Sequence, residues 1–230
     1  MINNKKFAFV FRVASFIIAA AGLLDLMGVF QGKLYTGVLF YYTAQSNIFA
    51  IVLFVILSVK TLTGLRNDSD FGACYFPRLL MICTVDVLLT FFVFWILLVP
   101  QLAGTLPLWT FSNLAVHAIT PLLCLADYIL FVKPNRLKYR DVYYVTIFPL
   151  CYVAVSSILG LTGHVYGRAA DGLPVRFPYF FFDFDRIGLF ALVYIGGIVV
   201  FFLIISHIFY YFSKRKQNKN NCEETPDNEV

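Results

Sequence analysis

Charge is what this sequence of 230 residues has least of. Asp, Glu, Lys and Arg together make up 13% of it, against about 25% in an ordinary soluble domain. With 60% of residues hydrophobic, too few polar side chains exist to clothe a water-soluble surface. The net charge of +5 forms no basic patch of the kind that binds nucleic acid, because the charges fall between apolar runs and at the C-terminus. Clustered metal ligands are missing too. The five cysteines include no CxxC pair and no Cys/His group, which argues against a structural metal or a disulfide framework. Cys83, Cys124 and Cys151 lie inside apolar runs and read as small hydrophobes. Cys74 and Cys222 lie in segments assigned to the reducing, cytoplasmic side. No cofactor is expected.

What the sequence has is long apolar runs, a mean hydropathy of +0.78 and 26 phenylalanines. A helix needs roughly 20 apolar residues to cross a hydrocarbon core about 30 Å thick. Six stretches meet that length, at about 7–30, 40–63, 75–99, 109–132, 142–162 and 187–212. The expected fold class is therefore all-α: a polytopic membrane protein with a six-helix transmembrane domain over 1–212 and a disordered polar tail over 213–230. Lys5-Lys6 followed by an apolar run and Ala19-Ala20-Ala21 imitates a signal peptide. The run is too long for one and contains Arg12 and Asp25, so it reads as a retained helix.

Lys and Arg set the expected orientation. With both termini inside, fourteen fall on the cytoplasmic side and only Lys33, Arg168, Arg176 and Arg186 fall outside. The reading is N-in/C-in in the cell membrane, with membrane lipids as the surroundings. The sequence leaves the oligomeric state open.

Ionisable groups in a bilayer interior are costly, so each is a candidate functional residue. They are Arg12, Asp25, Asp86, His117 and Asp127, with Arg78 and His207 near the inner boundary. Arg12 and Asp127 lie at matching depth and are expected to pair, with Arg78 as a second candidate partner. Asp25 and Asp86 read as relay acids or as neutral acids bonded to a neighbouring helix. Near the outer surface, Thr43, Ser46 and Asn47 share one face of the second helix at i, i+3 and i+4. Asn113, His117, Thr120, Cys124 and Asp127 form a stripe about 80° wide on the fourth. A hydroxyl facing an imidazole is a nucleophile–base pair for acyl transfer. Amides such as Asn47, Gln45 or Asn113 are candidate oxyanion donors. Read without further context, the same residues also fit caps and interhelical hydrogen bonds.

At these positions the chain resembles a known family. Asn113, His117, Pro121 and Asp127 resemble the fourth-helix motif of the androgen-induced-gene family of multi-pass intramembrane threonine hydrolases. Gly163-His164 followed by Phe177-Pro178-Tyr179 resembles that family's region after the fifth helix. The segment Pro178–Gly188 is closer still to its bacterial six-pass relatives. The resemblance covers helices 2 to 6. It implies hydrolysis of a lipid ester, with Thr43 as nucleophile and His117 as base. Ser46 is the alternative nucleophile, and Asn47, Asn113 and His164 are orienting or oxyanion residues. Two rivals stand beside this reading. One is a non-catalytic lipid- or small-molecule-binding protein using the same cavity. The other is a proton-coupled transporter built on Asp25, Asp86 and Asp127.

Overall fold

Bilayer-length helices form along the long apolar runs. The computed structural model describes residues 2–67, 73–102, 104, 107–169 and 172–223. Within them six helices are long and apolar enough to cross a membrane. The first is α1 (Lys5–Leu26), whose N-cap Asn4 side chain accepts from the Phe7 amide at 3.0 Å. It ends four residues earlier than the run of apolar residues suggests. Gly28 takes a left-handed turn there (φ 79°), and Val29–Gln31 continues as a 3-10 turn. Next come α2 (Tyr42–Arg66) and α3 (Pro77–Gln101), the latter opened by a proline whose missing N–H would be unpaired at that position anyway. Then follow α4 (Phe111–Phe131), α5 (Asp141–Leu161) and α6 (Ala191–Glu223).

The apolar span at the C-terminal end is Phe184–Lys214. Its first turn is capped by Asp183, which accepts from the Asp185 amide at 3.1 Å and the Arg186 amide at 3.3 Å. The α6 helix continues past the expected end at Phe212 to Glu223. The Lys, Arg, Gln and Asn that follow Phe212 in the sequence do not oppose propagation of a helix already formed. Residues 224–230 of the expected tail lie outside the described residues.

The long loop between α5 and α6 is built rather than loose. It holds a two-stranded hairpin, β1 (Gly167–Arg168) and β2 (Pro174–Val175), paired antiparallel with Gly167 opposite Val175. It then returns over α5 at Gly160, where a Cβ would stand 2.7 Å from the Arg176 carbonyl oxygen. Arg176 also pairs with Asp185. These contacts fix the loop as a roof over one end of the bundle.

Among the described residues, two larger apolar cores and a small one at Ala8, Ala73 and Phe131 hold the helices. Leu53 and Leu57 of α2, Leu80 and Val87 of α3 and Cys124 of α4 form one. Tyr42, Val85, Leu89, Tyr152 and Phe202 form the other, which runs into the roof at Phe177 and Phe182. The outward faces are equally apolar: Val10 and Ile17 on α1, Val52 and Val59 on α2, Val200 and Ile204 on α6 are exposed. In water that exposure would be unfavourable; against lipid it is not.

At the termini end, α1, α2 and α4 are tied by one cation. Arg12, fully buried, donates to both carboxylate oxygens of Asp127 at 2.8 and 2.9 Å. It also donates to Thr61 Oγ1 at 2.6 Å and to the Ala73 carbonyl at 2.9 Å. Arg78 pairs instead with Asp141, at 2.7 Å.

Candidate functional site

The site begins with a missing proton donor. Pro121 has no N–H, so the turn of α4 before it cannot complete its hydrogen-bond ladder. The helix widens to a π-helix over Ala115–Ile119, with the Thr120 amide reaching back to the Ala115 carbonyl. That leaves the carbonyls of Val116 and His117 without their helical donors. Neighbouring helices supply them: Asn47 Nδ2 of α2 donates to Val116 O at 3.1 Å, and Trp95 Nε1 of α3 donates to His117 O at 3.2 Å. Trp95 itself lies in a second π segment, Val93–Leu98. The adjacent Phe94 stacks flat on the His117 ring, centroids 3.7 Å apart and planes 12° apart. π segments re-aim side chains out of the regular helical stripe. Here the two of them bring His117 to the first turn of α2.

The imidazole is oriented at both nitrogens. Nδ1 lies 3.1 Å from the Asn113 carbonyl oxygen, which can only accept. Nδ1 therefore carries the proton in the neutral ring, and Nε2 presents a lone pair. Thr43 Oγ1 lies 3.3 Å from that nitrogen, so the Thr43 hydroxyl donates to it. Asn47 fixes the partner: its Nδ2 donates to the Thr43 carbonyl at 2.8 Å as well as to Val116 O, joining the Thr43 turn to the His117 turn. Tight packing of α1 supports the same place, because a Cβ on Gly22 would sit 2.3 Å from the Ala115 Cβ.

Thr43 lies on the wall of a small apolar cavity of about 50 Å³ between α2, α3, α5, α6 and the roof loop. Tyr42, Tyr152 and Tyr179 also line it, with Phe94 between the cavity and His117. Tyr179 shares that lining with Thr43. Burial pushes the Tyr179 ionisation up to about 12, so it is a neutral phenol at ordinary pH.

The other sequence candidates separate. Ser46 is fully buried, donates to the Thr43 carbonyl at 3.2 Å and does not reach the cavity. Both Nδ2 bonds of Asn47 go to backbone carbonyls, so it positions the pair rather than offering a free donor. Asn113 orients His117 through its carbonyl, while its side chain donates to Pro107 O at 3.1 Å. His164 packs in the roof, 4.7 Å from the rings of both Phe40 and Tyr166. Asp25 accepts from Gln31 Nε2 at 2.7 Å near the end of α1. Asp86 is buried in α3; the Tyr42 hydroxyl donates to its Oδ1 at 3.0 Å, and its Oδ2 has no hydrogen-bond partner among the described residues. Sequence reasoning did not single out Phe94, Trp95 or Tyr179 individually. Tyr179 carried a signal only as part of the Phe177-Pro178-Tyr179 segment, and Trp95 as a donor on the helix facing a proline-interrupted one.

No protein-family model, curated protein or solved structure matches this chain.

Proposed function

We propose that this integral membrane protein hydrolyses lipid carboxylic esters inside the bilayer, with Thr43 as nucleophile and His117 as general base, as the resemblance to the androgen-induced-gene family implies. The observation that carries the reading is the Thr43 Oγ1 to His117 Nε2 contact of 3.3 Å, with the other ring nitrogen held by the Asn113 carbonyl. A base oriented by a third group and facing a hydroxyl is the arrangement that activates a weak oxygen nucleophile.

In the proposed reaction Thr43 Oγ1 bonds to the ester carbonyl carbon while its proton passes to His117 Nε2. The Tyr179 hydroxyl donates to the developing oxyanion. Collapse breaks the carbon–oxygen bond to the alcohol, which takes the proton from Nε2–H and leaves an acyl-threonine. Water then attacks the acyl carbon and gives its proton to Nε2, and Thr43 recovers that proton as the carboxylic acid departs. Fourteen of the eighteen Lys and Arg fall on the side of the termini. With those termini cytoplasmic, the site opens toward the outer leaflet of the cell membrane.

The test is labelling of detergent-purified protein with a lipid-like fluorophosphonate, comparing wild type with Thr43→Ala, Ser46→Ala and His117→Ala. Labelling of wild type and Ser46→Ala, lost in the other two, is the expected result. Folded wild type that never labels overturns it. The same apolar cavity also favours a second reading, ligand binding without turnover. A Thr43→Ala protein that retains both its ligand and its biological effect would point there.

A further inference from the structure

The end of the bundle that carries the chain termini has a cleft of its own, between α4 and α6. It holds about 410 Å³, within the usual range of small-molecule sites. Leu125, Ile129 and Val132 stand on one face of α4 at i, i+4 and i+7, and Ile208 and Phe212 stand one turn apart on α6. The rings of Tyr128 and Phe209, packed edge to face with centroids 4.7 Å apart, join the two walls. Ile129, Ile208 and Phe212 are exposed and lie within membrane-crossing spans, so the cleft faces hydrocarbon. Its place at the termini end follows from two bonds. The Ile2 amide donates to the Leu130 carbonyl at 2.8 Å, and the Asn135 amide donates to Ser213 Oγ at 3.1 Å.

The mouth of this cleft is cationic. Lys133, half-buried, lines it just past the Phe131 end of the α4 span. Arg136 and Arg140 follow in the same loop, both exposed. Among the described residues none of these three forms an ion pair. Asp141, the acid that ends the loop, is already held by Arg78 at 2.7 Å and by the Lys138 amide at 2.8 Å. On the α6 side Lys214 donates to Asn135 Oδ1. Hydrocarbon-facing walls that end in unneutralised cations at headgroup level are complementary to an apolar chain with a negative head. We propose that the cleft binds one anionic glycerophospholipid, its acyl chain lying along the α4 and α6 walls and its phosphate meeting Lys133 and Arg136. With the termini cytoplasmic, the lipid comes from the inner leaflet, where anionic lipids and juxtamembrane cations attract one another. The site is separate from Thr43 and His117 and does not depend on ester hydrolysis. Bound there, the lipid links the loop after α4 to the end of α6, and so stabilises the folded chain by mass action.

The experiment titrates the full chain, purified in a non-ionic detergent, with dioleoyl phosphatidylglycerol or dioleoyl phosphatidylcholine. Bound lipid is read by native mass spectrometry. The two lipids share their chains and differ in the charge of the head. The expected result is one phosphatidylglycerol held at least about tenfold more tightly than phosphatidylcholine. Lys133→Gln should weaken phosphatidylglycerol about fivefold, and Lys133→Gln with Arg136→Gln about 25-fold. Neither side chain is in an ion pair among the described residues, so these variants keep the fold. Ile129→Trp keeps the cations and fills the apolar wall at an exposed position, and it should also weaken binding of phosphatidylglycerol. Equal affinity for the two lipids overturns the proposal, as does phosphatidylglycerol binding that survives the charge variants or the wall variant. Displacement of the lipid by an equal concentration of inorganic phosphate overturns it too, since the cations alone would then make the site. A dimer that excludes the lipid means that a second copy covers the cleft, and likewise overturns it.

Discussion

Removing Asp127 should unfold the termini end of the bundle while leaving the pair at the other end intact wherever the chain still folds. Arg12 makes four hydrogen bonds at zero exposure: two to Asp127, one to Thr61 and one to the Ala73 carbonyl. Its guanidinium also lies 5.0 Å from the centre of the Phe131 ring. Asp127→Leu deletes two of those bonds and leaves the cation unpaired inside a membrane-crossing span. Breaking one partner of a buried ion pair costs about 3–5 kcal/mol. Arg12→Met together with Asp127→Leu removes both ions. Thr61 keeps its bond to the Leu57 carbonyl at 2.6 Å, so the chief remaining loss is the Ala73 carbonyl. One unsatisfied buried carbonyl costs about 1–3 kcal/mol, partly offset because two charges no longer need desolvation. The double variant should therefore be more stable than Asp127→Leu alone, by about 2 kcal/mol. The measurement is a double-mutant cycle by denaturation of the purified protein in detergent. Fluorophosphonate labelling of the folded fraction should not change, since ten residues of helix, about 15 Å, separate Asp127 from His117. A single variant costing under about 1 kcal/mol, or a double variant whose loss equals the sum of the two singles, would refute the reasoning.

Asn47→Leu leaves the Val116 carbonyl without a donor and frees Thr43 from His117, so stability should fall by about 1–3 kcal/mol and labelling should slow in the folded protein. Trp95→Phe exposes the same weakness at the His117 carbonyl, with a stability loss of similar size by the same denaturation assay. Gly22→Ala drives a Cβ into Ala115 and should cost about 1–3 kcal/mol, with recovery when Ala115→Gly is added; no recovery would mean that the close approach is not what limits the site. Tyr179→Phe should lower the labelling rate at least about tenfold. Burial holds Tyr179 at about 12, and its neutral, donating form is the one present below that value. Its contribution should therefore be constant from about pH 6 to pH 10, and a fall near pH 9 that disappears in Tyr179→Phe would contradict this.

Run length and the scarcity of charge were enough to read six membrane-crossing helices, because hydrocarbon thickness acts on each stretch of chain separately. The ends were less legible where a single residue decides: Gly28 closes α1 early, and the polar residues after Phe212 stay helical. The pairing of Arg12 with Asp127 could be anticipated from depth alone. Whether Arg78 competes for Asp127 could not, since the Arg78 partner, Asp141, stands on another helix. The site shows the same division. Thr43 and His117 were nominated by the residue types on their stripes and by resemblance, with Ser46 as the alternative nucleophile on the same face of α2. Only the packed bundle puts Thr43 on the cavity and turns Ser46 back to its own helix. Tyr179 entered the site through a loop whose path depends on Gly160 and on the Arg176–Asp185 pair. Helix rotation was hidden because lipid-facing and core-facing residues are equally apolar, so periodicity does not tell one face from the other. The facing is set by contacts between residues far apart in sequence: Gly22 on Ala115, Asn47 on the Val116 carbonyl and Trp95 on the His117 carbonyl.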